Sequence, residues 1–455
     1  MGKMKELARD MKNLEAMVSV CTRCGTCQAH CPLYAQTRKE TDVSRGKIAL
    51  LTGLAEEMFK DPKGVDERLN RCLLCGACAK FCPSGVDTQA IFIRARSILT
   101  RYLGLSFAKK MIFRRYLAHP HKFDKFMGKM AKLQSLALVP EENTQATSCS
   151  RLDIPLLRDR HLTPLAPIPF RNQVIPAADK EGPRVVFFTG CLIDKALPQV
   201  GMAAVEVLHH FGCQVIIPEN QGCCGIPALA SGDHDTALAL VRHHLELFRD
   251  FEADALVTAC ATCTATLKKQ WPVLARELVD EPAPGDSGEE EEINWGELAW
   301  EWAGKTFDIS QFLASQFDLS FPVTGDDSPE AVTYHDPCHL KKSLDISQEP
   351  RDLITACGHE LVEMERPDHC CGMGGSFNLA HYDLSSQIGG RKAEDIEATG
   401  ASIVTTSCPA CMMQLTDMLA RRGSEIGVHH VVEVYARQLM EGPKDPEQGD
   451  QLPQK

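Results

Sequence analysis

Long apolar runs are missing from this chain: no stretch of its 455 residues approaches the roughly 18 consecutive apolar residues of a membrane-spanning helix. No export segment is expected either, because charges are scattered through the first 20 residues, MGKMKELARDMKNLEAMVSV, where an apolar stretch would have to lie. Excess positive charge is lacking: 49 basic against 61 acidic residues leave a net charge of -12, which argues against a nucleic-acid binder held by phosphate neutralisation. No G-x-G-x-x-G or other flavin or nicotinamide fingerprint occurs, and no serine or cysteine triad can be picked out, so a hydride acceptor of the chain's own is not expected.

What the chain does have is cysteine, 21 in all, an odd number that cannot be a closed disulfide set. Without an export segment the thiols are expected in a reducing compartment, the cytoplasm, where clustered cysteine means metal ligation or redox chemistry. The length suggests two to four domains at roughly 100 to 200 residues each. Charge divides unevenly: residues 1–180 carry 30 basic and 17 acidic side chains, net +13, and the remainder carries net -25.

The pattern C-x2-C-x2-C-x3-C-P occurs twice, as Cys21, Cys24, Cys27, Cys31 with Pro32 and as Cys72, Cys75, Cys78, Cys82 with Pro83. A tight loop supplies three soft thiolates to one cubane, and the fourth cysteine points elsewhere. In two-cluster ferredoxins that fourth cysteine completes the neighbouring cluster. Cys21, Cys24, Cys27 and Cys82 are therefore assigned to one 4Fe-4S cluster, and Cys72, Cys75, Cys78 and Cys31 to a second. Zinc also takes four cysteines, but as separated C-x2-C pairs rather than runs closed by proline. Gly25 and Gly76 occupy the same place in each motif, and apolar spacing at Ile48, Leu51, Leu54 and Met58 predicts a helix between the motifs, over 43–59.

The C-terminal part repeats at an offset of about 147 residues. Cys191, Cys223, Cys224, Gly225, Cys260 and Cys263 recur as Cys338, Cys370, Cys371, Gly372, Cys408 and Cys411. Each first cysteine, each Cys-Cys-Gly and each C-x2-C follows a strand-like run, with helical stretches such as 236–251 and 383–399 between them. Strands alternating with helices predict a parallel sheet whose thiol loops gather at the carboxyl ends of the strands. Each copy thus offers five thiolates at one rim, and a Cys-Cys pair among five ligands suggests a larger or unusual iron-sulfur cluster. A zinc site or a structural thiol cluster is the alternative.

The expected class is α+β overall: an α-helical ferredoxin-like two-cluster module followed by a duplicated α/β domain with parallel strands. The divisions are 1–90 for the ferredoxin-like module and 91–183 for a basic helical connector and linker. The first repeat covers 184–276, an acidic linker 277–330, the second repeat 331–440 and a disordered tail 441–455. The connector, rich in Arg, Lys and aromatic residues over 89–133, could dock an acidic protein surface or the anionic inner face of a cell membrane, or be a plain solvated cationic face. Cys149, Cys213 and Cys357 have no counterpart in the other copy and are expected to be plain thiols. His335, Asp336 and His339 flank Cys338, where a proton relay and simple tuning of a cluster are both open.

The whole chain resembles the family that includes the iron-sulfur subunit of glycolate oxidase and related D-lactate oxidising complexes, the anaerobic glycerol-3-phosphate dehydrogenase iron-sulfur subunit and the catalytic chain of heterodisulfide reductase. Cys21-Thr-Arg-Cys24-Gly-Thr-Cys27, Asp42-Val-Ser-Arg-Gly-Lys47 and His369-Cys-Cys-Gly-Met-Gly-Gly375 look most like the glycolate and lactate branch. The resemblance implies an oxidoreductase component: an electron-transfer subunit with FAD confined to a partner that oxidises a 2-hydroxy acid, and a quinone or other carrier as acceptor. It also implies one further cluster per repeat, cubane or noncubane 4Fe-4S. Both C-x2-C pairs are complete here, as in disulfide reductases, which keeps open the alternative of a heterodisulfide-reductase-like enzyme acting at the repeat clusters.

Overall fold

The computed structural model describes residues 2–58, 60–140, 148–150, 160–173, 181–278, 293–319 and 330–441. The tail expected over 441–455, apart from its first residue, lies outside them, as do residues 279–292 of the acidic stretch and much of the proline-containing linker.

Helices Gly2–Ser19, Ser44–Ala55, Pro62–Asn70 and Thr88–Leu103 form the N-terminal module around Leu14, Val18, Ile48, Leu51, Leu69, Phe92 and Ile98. Their ends are written in the sequence. The Asp61 side chain caps Pro62–Asn70 by accepting from the Gly64 N–H at 2.9 Å. Asp87 accepts from Ala90 N–H at 3.0 Å, and Gly104, at φ 82°, ends Thr88–Leu103. The helix expected over 43–59 runs over Ser44–Ala55, with Ile48 and Leu51 buried and Met58 exposed beyond its end. Both cysteine motifs lie in irregular loops that close with single helical turns, Cys27–His30 and Ala77–Lys80. The basic connector is helical, through Phe107–Lys110, a π-helical turn Met111–Leu117 and Pro120–Leu133, and it seats Phe113 and Leu117 in the core of the first repeat.

Ten strands follow in chain order: β1 (Leu138–Pro140), β2 (Ser148–Ser150), β3 (Arg184–Phe187), β4 (Gln214–Ile216), β5 (Ala255–Thr258), β6 (Thr306–Asp308), β7 (Ala331–His335), β8 (Glu360–Leu361), β9 (Ile403–Thr406) and β10 (Gly427–His430). β1 and β2 form a short antiparallel ribbon. The others form two four-stranded sheets, ordered β4-β3-β5-β6 and β8-β7-β9-β10, parallel throughout. The two orders are the same, so the duplication seen in the cysteines extends to topology. β5 and β9 are buried over their full length, as strands covered on both faces must be. Strands sit where the apolar runs before each thiol loop place them, and the helices expected over 236–251 and 383–399 run over His234–Phe248 and Tyr382–Glu397.

Each copy has a fourth strand that the three-strand reading lacked, and in the first copy it comes from the stretch expected to be linker. After residues 279–292, helix Trp295–Lys305 buries Trp295, Ala299 and Trp302, β6 pairs with β5, and helix Ile309–Gln316 follows. The local acidity hid an apolar face spaced three and four residues apart. One core runs through both sheets, from Phe113 through Val186 and Leu256 to Tyr334, Val432 and Tyr435.

Candidate metal centres

In the N-terminal module, Cys21, Cys24, Cys27 and Cys82 line one open cavity of about 360 Å³, with Arg45, Ile48 and Thr88. Cys31, Cys72, Cys75 and Cys78 line a second of about 440 Å³, with Lys47, Gln89 and Phe92. The fourth cysteine of each motif thus joins the first three of the other. The cavities share Ser44, Cys78 and Thr88 as a common wall. The loop conformation recurs as well: Arg23 and Leu74, each just before the second cysteine, have φ 59° and 54°, and Gly25 and Gly76, just after it, 89° and 74°. A left-handed non-glycine residue costs about 1–2 kcal/mol, so its recurrence at matching positions marks a loop shaped for something it encloses.

The repeat cysteines gather at the carboxyl ends of the strands. Cys191 lies in the helix after β3, with its Sγ 3.9 Å from that of Cys223. Cys260 and Cys408 are N-cap residues of the helices after β5 and β9, and Cys338 opens the helix after β7. Each Cys-Cys pair precedes a glycine at φ 94°, Gly225 and Gly372, a left-handed turn that lets the chain enter the next helix with both thiols inside. A Cβ on Gly372 would stand 2.6 Å from the Ser385 carbonyl oxygen. In the second copy Cys371 and Cys411 sulfurs are 3.3 Å apart, and with a His335 ring nitrogen the three donor atoms lie within 4.8 Å of one another.

Thiol contacts cross the boundaries of the sequence segments. The Cys75 side chain packs against those of Cys338 and Cys370, so the second motif loop meets the second repeat. Cys408 does the same with Cys260 of the first repeat, where Ala261 N–H also donates to the Ser407 carbonyl at 2.9 Å. Contacts between Cys223 and Cys224, Cys224 and Cys263, and Cys370 and Cys371, with those inside each C-x2-C, Cys260 to Cys263 and Cys408 to Cys411, complete an unbroken series from Cys75 to Cys191. Nothing in the spacing announced that the thiols of the second repeat, not those of the first, meet the second motif loop.

Crowding divides the thiols: Cys224, Cys371 and Cys408, which accept hydrogen bonds from neighbouring thiols, are held down, and their neighbours are pushed toward the protonated state. Contact with Cys191 and Cys224, and then burial, push Cys223 far up, and burial with the nearby Cys72 pushes Cys78 up to about 12. Iron is the natural relief, since it replaces several protons at once and binds the thiolate. The donor set fits: eight thiols in two sets of four around cavities, and ten in two sets of five at sheet rims. Zinc is the poorer match, because it closes its shell with four ligands and each repeat brings five. Cations accompany the thiols. Lys47, almost wholly buried, faces Cys31 and Cys72, and Lys342 is held charged, against its burial, by Cys338 and Cys75.

Several charged residues serve structure instead. Arg96 is buried and donates to the Cys72 carbonyl at 2.8 Å and the Ala230 carbonyl at 2.6 Å, tying the second motif loop to the first repeat. Asp336 accepts from Arg351 at 3.1 and 3.0 Å rather than from either neighbouring histidine, and His339 Nδ1 lies 3.2 Å from Thr262 Oγ1. The relay of His335, Asp336 and His339 is not assembled. Cys213 and Cys357 are buried apolar thiols, raised to about 11 and about 12 chiefly by burial.

Comparison with known proteins agrees with this layout. A 4Fe-4S dicluster domain model matches residues 17–86, and a cysteine-rich domain model matches twice, at 185–268 and 332–416. The chain is 29% identical over 443 residues to a probable glycolate oxidase iron-sulfur subunit of Bacillus subtilis, covering 92% of this chain and 94% of that one. It is 32% identical over 263 residues to lactate utilization protein A of an Exiguobacterium species, covering 58% of this chain and 99% of the relative. It is 26% identical to one of the subunits of the dihydromethanophenazine:CoB–CoM heterodisulfide reductase of Methanosarcina barkeri, with 94% and 97% covered.

Proposed function

The chain belongs to the iron-sulfur subunit family of lactate utilization protein A and the glycolate oxidase iron-sulfur subunit, and on that premise we propose that it conducts electrons from an FAD-bearing 2-hydroxy-acid oxidase subunit to a quinone or other carrier. The observation that carries the reading is the unbroken series of thiol sets. Cys21, Cys24, Cys27 and Cys82 would hold one 4Fe-4S cluster and Cys31, Cys72, Cys75 and Cys78 another. Cys338, Cys370, Cys371, Cys408 and Cys411 would hold a third cluster, and Cys191, Cys223, Cys224, Cys260 and Cys263 a fourth. Clusters bound there would supply one-electron acceptance and donation, at potentials that ligation, hydrogen bonds and exposure set between roughly -700 and +450 mV.

The chain's own residues do the rest. The loops space the thiol sets, the apolar walls exclude water, and Lys47 and Lys342 offset the negative charge of the thiolates. Substrate oxidation falls to the partner, since no hydride acceptor is recognisable in this sequence. The connector supplies a docking face: Tyr102, Phe107, Ile112, Leu133 and Leu136 are exposed beside exposed Lys110, Arg115, Lys122, Lys125, Lys129 and Lys132. Such a face suits an acidic subunit or an anionic lipid surface at the inner side of the cell membrane. No helix among the described residues is long and apolar enough to cross a membrane.

Purification from the native source under anaerobic conditions tests this reading. A co-purifying flavoprotein, with dye reduction dependent on glycolate or D-lactate, is expected; a native complex without a flavin chain would contradict it. A second reading, disulfide reduction at the repeats, is favoured by the meeting of Cys260 and Cys408 between two complete C-x2-C pairs. It requires that the reconstituted chain alone reduce a heterodisulfide with a low-potential donor, and inactivity there removes it.

A further inference from the structure

The two copies share strand order and cysteine spacing, yet they differ at the residue three positions before the first cysteine. The first copy has Phe188 there and the second has His335. Phe188 packs edge-on against His244, Phe248 and Trp271, so no ring N–H stands at this position, and the side-chain donor beside the first-copy thiols is the weaker Thr266 hydroxyl at Cys224. His335, the last residue of β7, has no exposed surface, and its ring nitrogens find no nitrogen or oxygen partner among the described residues, only the Cys371 thiol beside them. A buried imidazole left so is costly, and its free nitrogen faces sulfur: it lies within 4.8 Å of the sulfurs of both Cys371 and Cys411.

We propose that His335 donates a ring N–H hydrogen bond to the sulfur of the second-repeat centre, and that the duplicated centres thereby differ in reduction potential, the second being the higher. The inference rests on the reading that Cys338, Cys370, Cys371, Cys408 and Cys411 hold an iron-sulfur cluster. Donation fits better than iron ligation, because five thiols already meet the needs of four irons and leave the nitrogen lone pair no vacancy. An N–H aimed at sulfur sets the positive end of a dipole against a centre that becomes more negative on reduction, so it favours the reduced state. Neighbouring charge strengthens the difference. Lys342 stands by Cys338 and Cys75, with one carboxylate, Asp368, at 3.7 Å, whereas its counterpart Lys195 is held between two, Asp194 at 2.7 Å and Asp124 at 2.8 Å. His335 is thus a positioning residue that fixes which repeat retains the electron.

The test uses the full chain reconstituted anaerobically and titrated potentiometrically, with electron spin resonance as the readout. His335→Phe, which copies the first repeat, should lower the midpoint of one centre and leave the others and the iron content unmoved. His335→Gln, which keeps an N–H, should restore most of the shift. In protein labelled with nitrogen-15 histidine, pulsed spectra should show a weak nitrogen coupling that His335→Phe removes. An unmoved midpoint in fully loaded His335→Phe overturns the proposal, and so does the large coupling of an iron-bound nitrogen. Should His335→Phe load poorly, the labelled natural protein decides: a weak coupling supports the proposal, and its absence overturns it. Iron content unchanged by Cys371→Ser would instead defeat the cluster reading on which the inference stands.

Discussion

At the scale of single residues, the two glycines after the Cys-Cys pairs separate backbone conformation from packing. Both have φ 94°, but a Cβ at Gly225 meets neighbours at an ordinary 3.6 Å, while at Gly372 it meets the Ser385 carbonyl oxygen at 2.6 Å and Gly389 N at 3.0 Å. Gly225→Ala should therefore cost about 1–2 kcal/mol, and Gly372→Ala roughly 3 kcal/mol or more, with iron lost from the second repeat. Thermal melting and iron analysis of the two variants check the order. His244 gives a pH test. Burial, and then His243 beside it, push it down to about 3, and its Nε2 accepts from Gly222 N–H at 3.0 Å. The unfolded chain binds a proton below its usual value near 6.5 and the folded chain does not, so stability should fall by up to about 1.4 kcal/mol per pH unit as pH drops from 6.5 toward 3. His244→Gln should flatten that slope in melts between pH 7 and 5. The cysteines were legible in the sequence because their chemistry is local and counted in small spacings. His335 was legible as a neighbour of Cys338, with a relay and tuning both open, but the choice between them was not. His244 was not legible at all, because whether a histidine's nitrogens find partners depends on elements far away in the chain.

At the scale of elements, the junctions between segments are set by few groups. Arg96 links the second motif loop to the first repeat through carbonyls of Cys72 and Ala230. In the sequence it was one cation among many in a basic stretch, and only the fold shows that it is buried while Lys125 and Lys129 are exposed. Arg96→Met should destabilise by about 3 kcal/mol, because charge-assisted hydrogen bonds to three carbonyls, those of Leu69, Cys72 and Ala230, are lost in a dry site. Its melting curve should also divide into two transitions, where the natural protein should show one; calorimetry reads both effects. The strands before each thiol loop were readable as short apolar runs ending at a motif. β6 was not, because Thr306, Phe307 and Asp308 are too few to show a period, and ten acidic residues over 277–301 gave their surroundings the character of a linker. β10, with its two histidines, was equally mute.

At the scale of the molecule, the charge asymmetry has a physical outlet. Part of the N-terminal excess is used internally, since Arg94 and Arg101 pair with Asp10 and Arg114 with Asp233. The exposed remainder lies on the connector. Reversing Lys125, Lys129 and Lys132 to Glu should reduce retention of the flavin partner or binding to anionic vesicles by tenfold or more at low salt, with little change at high salt. Gel filtration and vesicle sedimentation distinguish the two occupants. The duplication and the class of fold followed from the sequence, whereas the order of the thiol sets did not, because the packing of one repeat against the motif loops involves residues some 265 positions apart, such as Lys80 and Asp345 at 2.7 Å.

Electron conduction through this chain requires that its four thiol sets bind iron as clusters. Quantitative iron, zinc and acid-labile sulfide analysis of anaerobically purified protein decides whether they do. About sixteen iron atoms per chain are expected, matched by sulfide, with negligible zinc. Stoichiometric zinc without sulfide, or colourless protein free of iron, would contradict it.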